Sequence, residues 1–214
     1  MTAKQVIAAF AAVTVLAGCA AQTPDQTAPA ESTPAETAKT LTITNLVDIN
    51  VLEDPADLSG YQWLEDKEPA FAEISLQESI RMFKEGGSGI VVYSADSCPW
   101  CNRAIPVLNE MLKEYGVKAY YIDTNMPIAS DAMTSQALYN ELCSYISSIF
   151  EVNDEGEATF QIPEVIAVKD GIIVGHHLSL VDSFTLTDAE VQMTEEQTEE
   201  LKGIYRELIE ACAD

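Results

Sequence analysis

The sequence predicts an α/β fold, and three observations carry that expectation. Ile90 to Ser94 is an unbroken apolar run of strand length, suited to a sheet covered on both faces. Ala104, Ile105, Leu108, Met111, Leu112 and Tyr115 repeat with the 3.6-residue period of a helix packed on such a sheet, and Gly116 stops it. Asp170-Gly171 stands between two apolar runs, a strong local signal for a hairpin.

Before these elements, Lys4 is followed by a short apolar run from Val6 to Ala17 and then by Leu16-Ala17-Gly18-Cys19. A single positive charge, a short apolar core and small residues at the cut describe a secretory signal peptide, and the run is too short for a comfortable transmembrane helix. Leu-Ala-Gly-Cys is similar to a bacterial lipobox. That resemblance implies cleavage before Cys19, diacylation of Cys19 with palmitate-type chains, and an anchor on the extracytoplasmic face of the cell membrane. A plain secretory signal with an incidental cysteine is the alternative. From Cys19 to Thr40 the composition turns to Thr, Pro, Ala, Gln and Glu without apolar periodicity, so this stretch is expected to be a disordered tether. Residues 1–18 are thus read as signal peptide, 19–40 as tether and 41–214 as one folded domain.

Charge excludes some partners. With 35 acidic against 11 basic side chains and a net charge of -24, the 214-residue chain repels polyphosphate, so nucleic acid is not an expected partner. An anionic bilayer repels it too unless a lipid holds it there.

Alternating Leu41, Ile43, Val47, Ile49 and Val51 predict a half-buried strand, and Leu52 to Pro69 is turn-rich. A short strand is expected at Ala70 to Ile74. Ser75 and Glu78 have the spacing of a capping box before Leu76, Ile80 and Phe83, and Gly86-Gly87 ends that helix. The run Ile90–Ser94 leads directly into Cys98-Pro99-Trp100-Cys101, the periodic helix follows, and Val117 to Asp123 is the next strand.

Strand, CxxC, helix, strand is the order in which a cysteine pair reads as a redox site. A cysteine at a helix start faces unpaired backbone N–H groups and the positive end of the helix dipole, which favour the thiolate. Cys98 is so placed, and the thiolate is the form that attacks a disulfide. Cys101, one turn on, lies on the same face and can reach back to displace a bound substrate. Pro99 is tolerated at the first helical position. Trp100 either shields the pair and tunes its potential or packs on the surface. Half of a zinc site and a purely structural bridge are the competing readings. No second CxxC supports the metal, and the strand-to-helix placement argues against both. No cofactor is implied.

At these residues the sequence resembles the thioredoxin-like family. Cys98 and Cys101 match its CxxC, and Pro106, five residues after the second cysteine, matches the proline of its active-site helix. Val117 to Asp123 is similar to its third strand. Ile162-Pro163, Glu164 to Lys169, Asp170-Gly171 and Ile172 to His177 look like its cis-proline hairpin. The resemblance covers about 70–177 and implies a thioredoxin-like fold, a central mixed sheet flanked by helices. It implies further that Ile162-Pro163 sits against the cysteine pair, where the Ile162 backbone binds an extended substrate segment by strand addition.

Three departures limit the transfer. The buried acid that assists the second cysteine in reducing thioredoxins falls on Val92, and the lysine often opposite it falls on Ala119. Asp96 and Glu164 are nearby acids, either substitutes or solvated surface charges. The stretch from Asp123 to Pro163 is longer than the family core needs, and Leu138, Leu142, Tyr145 and Ile149 predict a helical insertion over about 128–152, either a wall beside the site or extra core. Thr194 and Gln197 are placed to cap a final helix over about 194–213. Cys143 and Cys212 are read as buried free thiols or as a mutual disulfide. His176 and His177, adjacent on a strand, point to opposite faces and do not form a chelating pair.

The expectation is a lipid-anchored, extracytoplasmic thiol-disulfide oxidoreductase. Its partners are protein or peptide thiols and disulfides, together with a membrane redox partner. The narrower resemblance is to bacteriocin-transport accessory proteins. A non-catalytic binding or assembly lipoprotein using the groove beside Pro163 is the alternative.

Overall fold

The computed structural model describes residues 39–152 and 156–214. The expected signal peptide, Cys19 and nearly all of the tether lie outside the described residues, as do residues 153–155 of the stretch Asn153 to Glu157, which the sequence reads as an exposed acidic turn.

Strands β1 (Val51–Glu53), β2 (Phe71–Ile74), β3 (Gly89–Ser94), β4 (Ala119–Asp123), β7 (Glu164–Lys169) and β8 (Ile172–Leu178) form one sheet in the order β1-β2-β4-β3-β7-β8. β2, β4 and β3 run parallel, while β1, β7 and β8 are antiparallel to their neighbours, so the sheet is mixed. α1 (Leu76–Lys84) carries the chain from β2 to β3 and α2 (Pro99–Tyr115) from β3 to its neighbour β4, the helical crossovers that parallel strands need. α3 (Ala132–Ile146) and a small ribbon, β5 (Glu151–Val152) with β6 (Ala158–Thr159), stand between β4 and β7. α4 (Glu195–Cys212) closes the chain behind a complete capping box of Thr194 and Gln197.

Every residue of β3 is buried, as its unbroken apolar run demands. Strand alternation then divides the core. Ile90 and Val92 face a cluster with Ala104, Leu108, Leu112 and Tyr205 from α2 and α4, while Val91 and Tyr93 face a second cluster with Ile80, Phe83, Leu142 and Ile146 from α1 and α3. The inserted helix therefore thickens the core on the α1 side, where Tyr145 stacks on Phe83 with ring centroids 6.0 Å apart.

Four local expectations are corrected. Leu41 to Asn50 alternates in burial as its pattern says but pairs with no strand. It lies along the chain's last residues and the end of α2, through Leu41 N–H to Tyr115 O at 3.0 Å and Asp214 N–H to Thr42 O at 3.1 Å, and only Val51–Glu53 joins the sheet. The α1 start is half a capping box: Ser75 Oγ accepts from Glu78 N–H, but the Glu78 carboxylate takes Asn50 N–H and Arg81 instead. Val117 and Lys118 precede β4 rather than belong to it. Glu164 is no solvated surface charge; it is 2% exposed.

Candidate redox site

Cys98 is the N-cap of α2. A serine or aspartate oxygen usually fills this position, but here the Cys98 Sγ accepts the Cys101 N–H at 3.2 Å. Pro99 at the first helical position has no N–H to leave unpaired. The sulfur thus looks into the open donors of the first turn, and the Cys98 thiol is lowered from 9.0 to about 7. The hydrogen bond from the Cys101 thiol is the largest cause; burial opposes it, and the backbone N–H groups of Cys101 and Trp100 add to it. Cys101 is fully buried. Burial above all, then its role as donor to Cys98, holds its proton far more tightly than usual. One thiol is poised to ionise and the other is kept protonated beside it.

Ile162-Pro163 is a cis peptide, and the Ile162 carbonyl oxygen lies 3.8 Å from Cys98 Sγ. The fold is thioredoxin-like. Its sheet order, the CxxC at the start of α2 and the cis-proline opposite it establish that directly. The chain matches no protein-family model and no curated protein. Among solved structures it is similar to thioredoxin from Aeropyrum pernix, at 20% identity, with a TM-score of 0.32 and coverage of 50% of this chain and 73% of that one.

Beside the cysteines a groove of about 450 Å³ is lined by Trp100, Ile162, Val181 and Phe184 together with Glu151 and Asp182. Trp100 is 41% exposed, so its ring is offered to the groove rather than buried under the helix. Glu151, from the inserted ribbon, brings that insertion to the edge of the site. Cys98, Cys101, Trp100, Ile162 and Pro163 are therefore brought together; Cys19 lies outside the described residues.

Glu164, next after Pro163, turns toward the α1 side of the sheet, where its Oε1 is 3.1 Å from His176 Nδ1. Burial, reinforced by the Glu151 carboxylate, raises Glu164 to about 8, and burial lowers His176. Both shifts favour the uncharged forms, a carboxyl against an imidazole. His177 points the other way, edge-on to Tyr205 with centroids 6.1 Å apart. Cys143 is half-buried, and Cys212 is fully buried with Sγ 3.5 Å from both Gly89 O and Val168 O; all four described cysteines are free thiols.

Sequence reasoning missed three contributions. Tyr61, from the unassigned stretch before β2, reaches under α2 to Ser94 and Tyr121. Asn102 accepts Gln62 N–H at 2.6 Å and donates to Asp96 O at 2.5 Å and Cys98 O at 3.0 Å, fastening that stretch to the CxxC turn. Arg103 is 3% exposed, with its guanidinium donating to Pro99 O, Ala189 O and Val191 O and lying 4.5 Å from the Trp63 ring centroid. The one legible signal was a charged side chain at position 103, two residues beyond Cys101 in the first turns of α2.

Proposed function

We propose that this protein is a thiol-disulfide oxidoreductase in which Cys98 attacks and Cys101 resolves. The observation that carries the reading is the Cys98 sulfur at the α2 N-cap, held by the Cys101 N–H at 3.2 Å and facing the Ile162 carbonyl across 3.8 Å. The Cys98 thiolate attacks one sulfur of a substrate disulfide; a mixed disulfide forms and the other substrate sulfur leaves as a thiolate. Cys101 then gives up its proton and attacks Cys98 Sγ, the mixed disulfide breaks, and the second substrate sulfur leaves. Two electrons pass from the dithiol to the substrate, and in reverse the same steps deliver a disulfide. The direction follows from the potential of the pair and its electron partner. An extended substrate segment lies in the groove beside Pro163, pairing with the backbone of Ile162.

The setting proposed is the outer face of a bacterial cell membrane, with Cys19 lipidated. The lipobox-like Leu16-Ala17-Gly18-Cys19 supports it, and a role beside peptide export is its narrower form, after the resemblance to bacteriocin-transport accessory proteins. Cys19→Ser should release the protein from membranes.

The deciding experiment pairs two variants with a disulfide-bonded peptide. Cys101→Ser should accumulate a mixed disulfide at Cys98, seen by mass, and Cys98→Ser should accumulate none. Absence of exchange in the parent, with the peptide still bound, would favour a binding lipoprotein; the groove beside the cysteines, where Trp100, Val181 and Phe184 stand among polar side chains, supports that second reading.

A further inference from the structure

The surroundings of Cys98 carry charge of one sign. The groove beside the cysteines holds the carboxylates of Glu151 and Asp182 and no Lys or Arg. A second groove, which meets the CxxC turn at Ser97 and Pro99, holds Asp96 and Asp188. Its one cation, Arg103, is buried with its guanidinium turned to three backbone carbonyls. Asp96 and Asp188 are engaged by neighbours, the first accepting from Asn125 Nδ2 at 2.8 Å and the second from the Glu190 and Val191 N–H groups at 2.9 Å. Glu151 and Asp182 are exposed and enter no ion pair among the described residues. The sequence explains why. From 119 to 201, the stretch that supplies β4, the insertion, the cis-proline hairpin and the loop before α4, Lys169 is the only Lys or Arg, and its Nζ donates to Ala213 O at the end of the chain. Lys84, Lys113, Lys118 and Lys202 are paired with other carboxylates, those of Glu141, Asp66, Asp54 and Glu110.

A ligand position in this groove is marked independently of the carboxylates. The groove contains Ile162, whose carbonyl oxygen stands 3.8 Å from Cys98 Sγ, so whatever fills it lies against the reacting sulfur. The exposed Trp100 ring lines the same groove and offers its face to a cation. Two carboxylates without a protein cation and an open indole around one groove are complementary to a lysine or arginine side chain. We infer that Glu151 and Asp182 are specificity-determining residues that select disulfides flanked by lysine or arginine. This rests on the oxidoreductase reading above and names its substrate class.

An extended segment laid along Ile162 sends alternate side chains to opposite sides, so a basic residue near the substrate cysteine reaches the carboxylates while the disulfide stays over Cys98. The exchange chemistry and its electron balance are those already given; charge acts on capture, which it speeds and which salt weakens. Glu151 belongs to β5, so the insertion between β4 and β7 supplies one of the two selecting groups.

The test uses one disulfide-bonded peptide in three versions, with lysine, glutamine or glutamate on both sides of the cysteine, and reads the second-order rate constant for its reduction by the reduced protein. At low salt the lysine peptide should react about 10-fold faster than the glutamate peptide, and most of that ratio should vanish toward 1 M salt, where charges are screened beyond about 3 Å. Glu151→Gln and Asp182→Asn should each lower the ratio about 2- to 4-fold, and the double variant should lower it further than either. Glu114→Gln is the control for net charge: Glu114 lies on α2 fifteen residues past Pro99, about 22 Å along the helix, and its removal should leave the ratio as it is. Thermal unfolding shows whether each variant is folded; Asp182→Asn stands in if Glu151→Gln is not, and the salt dependence of the parent needs no variant. Equal rates for the three peptides, a ratio that salt does not reduce, a ratio untouched in the double variant, or an equal fall in Glu114→Gln would overturn the selection alone. A parent that reduces none of the three overturns the selection and the oxidoreductase reading together.

Discussion

Removing the Cys101 sulfur tests what sets the reactivity of Cys98. In the parent protein the Cys98 thiol lies at about 7 against an ordinary 9.0. At pH 7 that makes it about half thiolate instead of about 1%, roughly a 50-fold gain in the reactive form. A less basic thiolate is also a weaker nucleophile, and over that interval a Brønsted slope of about 0.45 takes back about 8-fold, leaving a net advantage of about 6-fold on a disulfide. The largest contribution to the lowering is the hydrogen bond from the Cys101 thiol, so Cys101→Ala should move the Cys98 midpoint upward. It should stop short of 9.0, because the backbone N–H groups of residues 100 and 101 still point at the sulfur. The assay is the rate of alkylation of reduced protein against pH, with the modified cysteine located by mass. In the parent the rate should level off above about pH 8, with Cys98 labelled well before Cys101. A parent midpoint at or above about 8.5, or one that does not move in Cys101→Ala, would refute the argument that this helix start and its second thiol create the thiolate.

Glu164→Gln should change how stability depends on pH. Glu164 rises from 4.5 to about 8 on folding, so its contribution is fully present below 4.5 and is lost as the pH climbs to about 8. The variant should match the parent near pH 4 and unfold at a higher temperature than the parent at pH 8; a gap that does not widen with pH would count against the buried neutral carboxyl. Arg103→Lys should be costly, because one ammonium cannot reach three carbonyls that the guanidinium fork now satisfies. A loss of about 3 kcal/mol, on the order of 10 °C in Tm, is expected by calorimetry. Tyr205→Phe should leave Tm unchanged or raise it, since the Tyr205 hydroxyl is buried and has no hydrogen-bond partner among the described residues. A fall of several degrees would mean that this hydroxyl is satisfied after all.

The parts of the fold that could be read from the chain were those whose pattern is local. The two-sided burial of Ile90–Ser94, the helical stripe ended by Gly116, which adopts φ 66, and the hairpin at Asp170-Gly171 each follow from residues adjacent in sequence. Leu41–Asn50 misled because alternation reports burial on one side, which packing against a core edge produces as well as a ladder does. The cysteine pair was legible from its spacing and its neighbours. Tyr61 was not, because a single aromatic in a turn-rich stretch carries no periodicity. Its place beneath α2 is set by contacts to Ser94 and Tyr121, 33 and 60 positions away. Glu164 was misjudged for a related reason: charge argues for the surface, and only the register of β7 against β3, which sets Glu164 opposite Tyr93, turns that carboxyl inward.

The Arg103 guanidinium gathers regions that lie far apart in the chain: Trp63 from the loop between β1 and β2, Pro99 beside the cysteines, and Ala189 and Val191 from after the sheet ends. These outer segments are thus part of the site's foundation. A version trimmed to its central strands and helices would leave a cation stranded against the active-site turn. Engineering a smaller relative would therefore have to begin by replacing residue 103, and grafting this CxxC helix into another scaffold would bring with it a demand for two carbonyls, beyond that of Pro99 in the helix itself, that the new host must be built to meet.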